Sequence, residues 1–190
     1  MNKIVIIDGN SLVNRAYYAL PALATKDGKV YNAVFGFVNI IVKLISEHKP
    51  THLVVAFDHA RKTFRNEIYA EYKGTRKPMP EELRSQITPL KELLTKMGIK
   101  ILEKEGIEAD DIIGTLANRF DYPSVILTGD RDCLQLISSK TEVWLTKHGI
   151  SDIVSMNERQ LKEEMGLVPS QIIDLKSLMG DASDNIPGVP

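Results

Sequence analysis

Nine carboxylates in this 190-residue chain fall in short motifs whose spacing could hold cations. Asp8 closes the β-branched run Lys3–Ile7 and precedes Gly9-Asn10. Asp58 closes His52–Phe57, and Asp130 follows Ser124–Thr128 and Gly129. In Glu108-Ala109-Asp110-Asp111, Glu108 and Asp111 are three residues apart and so share one face of a helix, with Asp110 beside them. Asp132 lies one residue beyond Arg131, and Asp181 and Asp184 lie in a turn rich in Gly, Asn and Pro. Each motif also has an ordinary reading. Aspartates at strand ends cap helices or make turns, and acids in a first helical turn complement the helix dipole. Gathered at one sheet edge, however, nine carboxylates would repel one another unless cations were bound or some were protonated. An all-oxygen donor set with no His or Cys within the motifs suits Mg²⁺ or Mn²⁺, in two or more ions, and not zinc. His59 and Cys133, next to Asp58 and Asp132, read as packing or surface residues.

A second group of residues could handle a polyanion. Between Arg61 and Lys77 stand six bases (Arg61, Lys62, Arg65, Lys73, Arg76 and Lys77) against two acids, Glu67 and Glu71. Phe64, Tyr69 and Tyr72 are interleaved with them, and Pro78-Met79-Pro80 breaks the chain afterwards. The segment reads either as a solvated connecting loop or as an element that tracks phosphates and stacks on bases.

The elements that must position these groups follow from hydrophobic periodicity. Lys3–Ile7, His52–Phe57 and Ser124–Thr128 are short apolar runs without alternation, as expected of strands covered on both faces of a parallel sheet. Ile99–Leu102 and Glu142–Leu145 are weaker strand signals. Val34, Val38, Ile41 and Ile45 step at helical spacing, as do Leu83, Ile87, Leu90, Leu94 and Met97, and then Ile112, Ile113, Leu116 and Phe120. Pro89 is expected to kink the second of these helices. Alternating strands and helices predict an α/β fold with a mainly parallel sheet. In such a sheet ligands bind beyond the carboxyl ends of the strands, where three of the aspartates fall.

Composition bounds the rest. At 43% hydrophobic and 26% charged, the chain has the content of an ordinary folded domain, not of a disordered tail. One cysteine excludes an internal disulfide framework and a cysteine-based zinc cluster. The longest apolar runs are too short to span a bilayer, and the N-terminus enters a strand almost at once with no leader pattern. The expected setting is therefore the cytoplasm, with no membrane partner. The formal charge of −1 argues against a polyanionic partner until its distribution is considered. Without the nine carboxylates, 16 acids remain against 24 bases, a surplus of eight positive charges. An acidic metal pocket in a basic body suits phosphodiester chemistry, in which two ions activate water and stabilise the leaving oxygen.

These motifs together resemble the 5′ nuclease family, which includes flap endonucleases. The likeness is strongest to the 5′→3′ exonuclease domains that stand N-terminal to bacterial DNA polymerases. It is carried by Ile7-Asp8-Gly9-Asn10 through Arg15-Ala16-Tyr17, Ala56-Phe57-Asp58, and Thr63-Phe64-Arg65 through Tyr72-Lys73-Gly74-Thr75-Arg76. It continues in Glu108-Ala109-Asp110-Asp111, Thr128-Gly129-Asp130-Arg131-Asp132 and Gly180-Asp181 through Asp184-Asn185-Ile186-Pro187-Gly188-Val189. Each motif alone is weak, but the set occurs in the family's order from end to end of the chain.

The resemblance implies a PIN-like nuclease domain over residues 1–190 that cuts DNA near 5′ ends or flaps in replication and repair. Metal ligands would be Asp8, Asp58, Glu108, Asp110, Asp111, Asp130, Asp132, Asp181 and Asp184. Lys73 and Arg76 would contact the scissile phosphate at the base of a helical arch spanning approximately residues 61–97. Tyr72 would stack on the unpaired nucleotide, Arg15 would bind a phosphate, and Phe64 and Arg65 would belong to the DNA-binding surface. A monomer is the default, and a covalently linked polymerase domain is compatible with the likeness. The chain departs from the family at its end. Residues 180–190 begin a helix–turn–helix element that grips duplex DNA in relatives, and the sequence stops at Pro190. Three rival readings fit the residues less well. A non-catalytic nucleic-acid-binding module of the same fold would not need every matched carboxylate. A signalling receiver would want adjacent acids after the first strand, and a haloacid-type phosphatase would want Asp at position 10, where Asn stands.

Overall fold

The computed structural model describes residues 3–59, 62–147, 149 and 152–190. The chain alternates strands and helices: β1 (Ile4–Asp8), α1 (Gly9–Ala19), α2 (Asn32–His48), β2 (His52–Ala56), α3 (Phe64–Ile68) and α4 (Glu81–Lys96). It continues with β3 (Lys100–Leu102), α5 (Ala109–Arg119), β4 (Ser124–Thr128), a 3₁₀ turn (Arg131–Leu136) and β5 (Thr141–Thr146). It closes with β6 (Ile153–Met156), α6 (Glu158–Met165) and α7 (Pro169–Met179). The sheet order is β3-β2-β1-β4-β5-β6. Neighbours are parallel except β5 and β6, which run antiparallel. The expected mainly parallel α/β architecture is therefore observed, with an antiparallel edge strand added.

All five residues of β1 and of β4 are buried, because both faces of the sheet are covered. Successive strand side chains point to opposite faces. Val5, Ile7, Val55, Phe57, Val125 and Leu127 face one core, with Leu12 and Val13 of α1, Phe37 and Ile41 of α2, and Leu83, Leu90 and Leu94 of α4. Ile4, Ile6, Val54, Ala56 and Ile126 face the other, with Ile113 of α5, Leu134, Leu161 of α6 and Ile172 of α7. This sandwich fixes the strand ends on which the carboxylates sit.

Helix α4 runs unbroken from Glu81 to Lys96 with Pro89 inside it, and the buried Leu83, Leu90 and Leu94 flank the proline in one core. It is tied to α2 by Gln86, whose Oε1 accepts from the amides of Ala33 and Val34 at 2.9 and 3.2 Å. Helix α2 has no side-chain cap of its own, so Gln86 satisfies two of its free N–H groups. Among the described residues, no helix is long and apolar enough to cross a membrane.

Candidate active site

β1 and β4 are adjacent in the sheet, and the chain leaves them toward opposite edges, through β2 on one side and β5 on the other. This switch point opens a crevice at the carboxyl ends of the strands. Asp8 is the last residue of β1, while Asp58 and Asp130 each lie two residues beyond the ends of β2 and β4. Helix α5 starts at the same edge, where the amide of Ala109 donates to Asp58 Oδ1 at 2.7 Å and so brings Glu108, Asp110 and Asp111 to the crevice.

Asp8 caps α1 by accepting from the Ser11 amide at 3.0 Å, and its other oxygen accepts from Thr128 Oγ1 at 2.7 Å. It is buried, and this desolvation pushes its pKa up to about 6. The two hydrogen bonds oppose the rise, and Asp58 and Asp130 add to it. Asp110, whose outer edge opens to the crevice, is pushed up to about 7. Desolvation is again the largest cause, followed by repulsion from Asp8, Asp130 and Asp58, with Lys73 pulling the other way. Asp8, Asp58, Asp110 and Asp130 thus form one group whose negative charge the protein leaves under-compensated.

The other five carboxylates carry basic partners. Lys73 Nζ is 2.9 Å from Glu108 Oε2, and the same oxygen accepts from the Tyr72 hydroxyl at 3.0 Å. Arg65 grips Asp111 with two bonds of 2.8 Å and holds its carboxyl below the usual range. Arg76 pairs with Asp184. Lys176 is 2.8 Å from both Asp132 and Asp181. Desolvation raises the pKa of Asp132 against this pull. Asp181 is also desolvated, but Lys176 and Ser183 together hold it well below the usual range. Among the described residues, no three His, Cys, Asp or Glu side chains stand close enough to hold a metal ion, the four aspartates without a basic partner included. The nine expected ligands thus fall into five paired with basic side chains and four that are not.

The basic segment borders two clefts. One of about 720 Å³ is lined by Asp8, Asp58, Asp110 and Asp130 and also by Lys73, Arg76 and Lys77. The other, of about 750 Å³, is lined by Glu108, Asp111, Asp132, Asp181 and Asp184 together with Arg65 and Tyr72, and Asp110 lines both clefts. Of the span 61–97 read as an arch, residue 61 lies outside the described residues, and α4 belongs to the core. The stretch beside the crevice is 62–80. Arg15 reaches back to the Lys147 carbonyl at 3.0 Å, behind Gly129.

Tyr72, expected to stack on an unpaired nucleotide, lies mostly turned inward. It is only 8% exposed, its hydroxyl is bonded to Glu108, the Lys73 ammonium sits 5.0 Å from its ring centre, and it lines the second cleft. Interleaving aromatics with bases does not reveal which ring turns inward. Phe64 is the exposed aromatic of this segment, 47% accessible, with the Arg65 guanidinium 4.7 Å from its ring centre.

Sequence reasoning missed several polar residues that shape the site. Asn10 Oδ1 accepts from the Asp58 amide at 2.9 Å, and Ser11 Oγ accepts from the Gly129 amide at 2.8 Å. Lys176 and the buried Thr63, whose hydroxyl lies 3.3 Å from Glu108 Oε1, were missed as well. For Ser11 a signal existed, since Asp8 three residues before it is a helix-capping spacing. None marked Lys176.

Residues 3–166 match the family described as "5'-3' exonuclease, N-terminal resolvase-like domain". The chain belongs to this 5′ nuclease family. It is 48% identical to DNA polymerase I of Bacillus subtilis (strain 168) and 49% identical to that of Bacillus caldotenax, over 99% of this chain in both cases. It spans 22% of the length of each of those relatives. A structure of the bacteriophage T5 5′-exonuclease with bound zinc superposes with a TM-score of 0.76 at 24% identity, over 99% of this chain and 70% of that one. A T5 flap endonuclease solved with DNA and metal ions gives 0.74 at 25% identity with the same coverage. These two likenesses establish that the sheet and its flanking helices have the PIN-like 5′ nuclease fold. As a member of the family, the domain is a nuclease, a phosphodiester hydrolase.

Proposed function

We propose that this domain hydrolyses DNA phosphodiesters near 5′ ends or flaps, using Mg²⁺ or Mn²⁺, in replication and repair. The observation that carries the reading is the under-compensated group Asp8, Asp58, Asp110 and Asp130 at the switch point, in one cleft with Lys73 and Arg76. The donor set fits a hard divalent cation, being entirely carboxylate, and two of its members, Asp8 and Asp110, are disfavoured as free anions by desolvation and by their acidic neighbours. These four would hold one ion, and Glu108, Asp111, Asp132, Asp181 and Asp184 are donors for a further one. When bound, the ions supply a water nucleophile at neutral pH and neutralise charge at the leaving oxygen. Metal-bound relatives of the same fold support this reading.

The chain's own cations have two tasks. Without substrate they compensate five of the carboxylates. With substrate, Lys73 and Arg76 bind the scissile phosphate and stabilise the charge that grows on it. Arg15 and Arg65 hold neighbouring phosphates, and Phe64 supplies an open ring for an unpaired base. The arch is assigned to residues 62–80. The relatives are DNA polymerases of which this chain spans 22%, which supports a covalently linked polymerase domain; a monomeric chain acting on DNA in the cytoplasm is part of the same proposal.

Incubation of 5′-labelled flap DNA with and without Mg²⁺ tests the reading. Short 5′ products should appear only with metal. DNA retention without cleavage at any Mg²⁺ or Mn²⁺ concentration would instead identify a binding module that keeps the fold.

A further inference from the structure

Thr128 is the last residue of β4 and is fully buried, an unusual place for a hydroxyl. Its Oγ1 makes two bonds that meet across the switch point. It donates to Asp8 Oδ2 at 2.7 Å and accepts from the Asp130 amide at 2.9 Å. A parallel connection runs beside it. The Ser11 amide donates to Asp8 Oδ1 at 3.0 Å, and Ser11 Oγ accepts from the Gly129 amide at 2.8 Å. Both oxygens of Asp8 are thereby fixed, each through a link that also holds the Gly129–Asp130 loop. A Cβ at Gly129 would lie 2.9 Å from Ser11 Oγ and 3.0 Å from the Arg15 guanidinium, so the loop is pressed against α1 with no slack. The pairing of β1 with β4 runs from Ile4 and Ser124 to Ile7 and Leu127 and ends there, and beyond that point these side-chain bonds replace the ladder.

We propose that Thr128, assisted by Ser11, is a positioning residue that sets the separation and orientation of the Asp8 and Asp130 carboxylates for metal binding. The inference rests on the reading that these aspartates hold the ion. Thr128 Oγ1 acts through Asp8 and the Asp130 amide, and Ser11 Oγ through the Gly129 amide, as outer partners of metal ligands do; loss of such a partner typically costs about 10–100-fold in affinity.

The test is Mg²⁺ titration by calorimetry, paired with single-turnover cleavage of flap DNA at a series of Mg²⁺ concentrations. Thr128→Val keeps the shape and removes the hydroxyl. It should weaken Mg²⁺ binding by about 10–100-fold and raise the Mg²⁺ midpoint of cleavage, with the KM for DNA unchanged and much of the rate recovered at high Mg²⁺. Thr128→Ser restores the hydroxyl and should restore the affinity. Ser11→Ala removes only the second link and should weaken binding about 10-fold, which keeps the test decisive if Thr128→Val does not fold. Asp8→Asn separates the two levels of the argument. If it weakens Mg²⁺ binding while Thr128→Val and Ser11→Ala bind as wild type does, the positioning role is wrong and Thr128 is a core residue. If Asp8→Asn itself binds Mg²⁺ normally, the metal reading fails first.

Discussion

Lys73 reaches Glu108 from a left-handed backbone. Its φ is +57°, and its ammonium lies 2.9 Å from a carboxylate oxygen that is otherwise buried. The turn is held on its other side by the Lys73 amide, which donates to the Asp184 carbonyl at 2.9 Å. One residue therefore joins the basic segment to both the α5 carboxylates and the 181–184 loop. A side chain held in this way is preorganised, and the left-handed backbone costs about 1–2 kcal/mol for a residue with a Cβ.

The first prediction separates the charge from the backbone. Lys73→Ala and Lys73→Gly both remove the ammonium and should slow single-turnover cleavage by about 10²–10³-fold, with little change in DNA affinity. They should differ in stability, because glycine adopts this φ freely and alanine does not. In urea unfolding without metal, Lys73→Gly should be more stable than Lys73→Ala by about 1 kcal/mol. Equal stabilities would show that the turn relaxes, and wild-type cleavage by both would remove Lys73 from the reaction.

Arg65 offers a test of geometry at constant charge. Its two parallel bonds to Asp111 need a planar fork, which lysine lacks. Arg65→Lys should destabilise the protein by about 1–2 kcal/mol near neutral pH. The Asp111 carboxyl is held below its ordinary value, so the stabilisation is complete above the unfolded pKa, near 4, and is lost as pH falls through the folded one. The wild type and Arg65→Lys should therefore converge in stability at strongly acidic pH. A gap that persists below pH 2 would assign the effect to packing.

Gly180 controls the placement of Asp181 and Asp184. It has φ +71°, and a Cβ there would lie 2.3 Å from the Gly188 amide nitrogen and 2.5 Å from the Ile186 carbonyl. Those are backbone atoms of the same closed loop, where Asp181 and Ile186 exchange amide bonds of 2.8 Å. Gly180→Ala must open this loop and should cost more than 1 kcal/mol. It should also lower cleavage. Unchanged cleavage would show that the exact position of Asp181 and Asp184 is not required.

Much of this fold was legible because its physics is local. β1 and β4 read as continuous apolar runs since both faces are covered, and Asp8, Asp58 and Asp130 stand where those runs end. β6 was not legible, being a four-residue edge strand only partly buried, with no strong pattern. Helix α7 was missed because Ile173, Leu178 and Met179 are exposed and break the periodicity. In the site, residue types were readable and partners were not. Arg76 meets Asp184 across 108 positions, and Thr128 meets Asp8 across 120. Such pairings depend on where the sheet brings its loops. The inward turn of Tyr72 is of the same kind, since its hydroxyl bonds Glu108 across 36 positions, at the start of the helix whose Ala109 amide is held by Asp58.

The last prediction concerns the cost of keeping four carboxylates together without metal. Asp8 and Asp110 have folded-state values of about 6 and about 7, above the 3.8 of an ordinary aspartate. Between these limits the folded state holds more protons than the unfolded one, so stability falls as pH rises from near 4 through 7. This is opposite in sign to the contribution of Asp111. The groups facing Asp110 are Asp8, Asp58 and Asp130, which repel it, and Lys73, which attracts it; the net effect is repulsive. Asp110→Asn removes one charge at nearly constant shape and should therefore stabilise the metal-free protein at pH 7.5, with the gain shrinking toward pH 5. Mg²⁺ should reverse the order. A single ion at about 100 times its Kd adds ~2.7 kcal/mol to a protein that binds it only when folded, and the variant should gain much less and lose most cleavage. Urea titrations of both proteins in EDTA at pH 5 and 7.5, repeated with saturating Mg²⁺, decide the matter. If Asp110→Asn is the less stable protein in EDTA at pH 7.5, its carboxylate acts mainly as a stabilising first-turn acid of α5, and mutual repulsion does not govern the site.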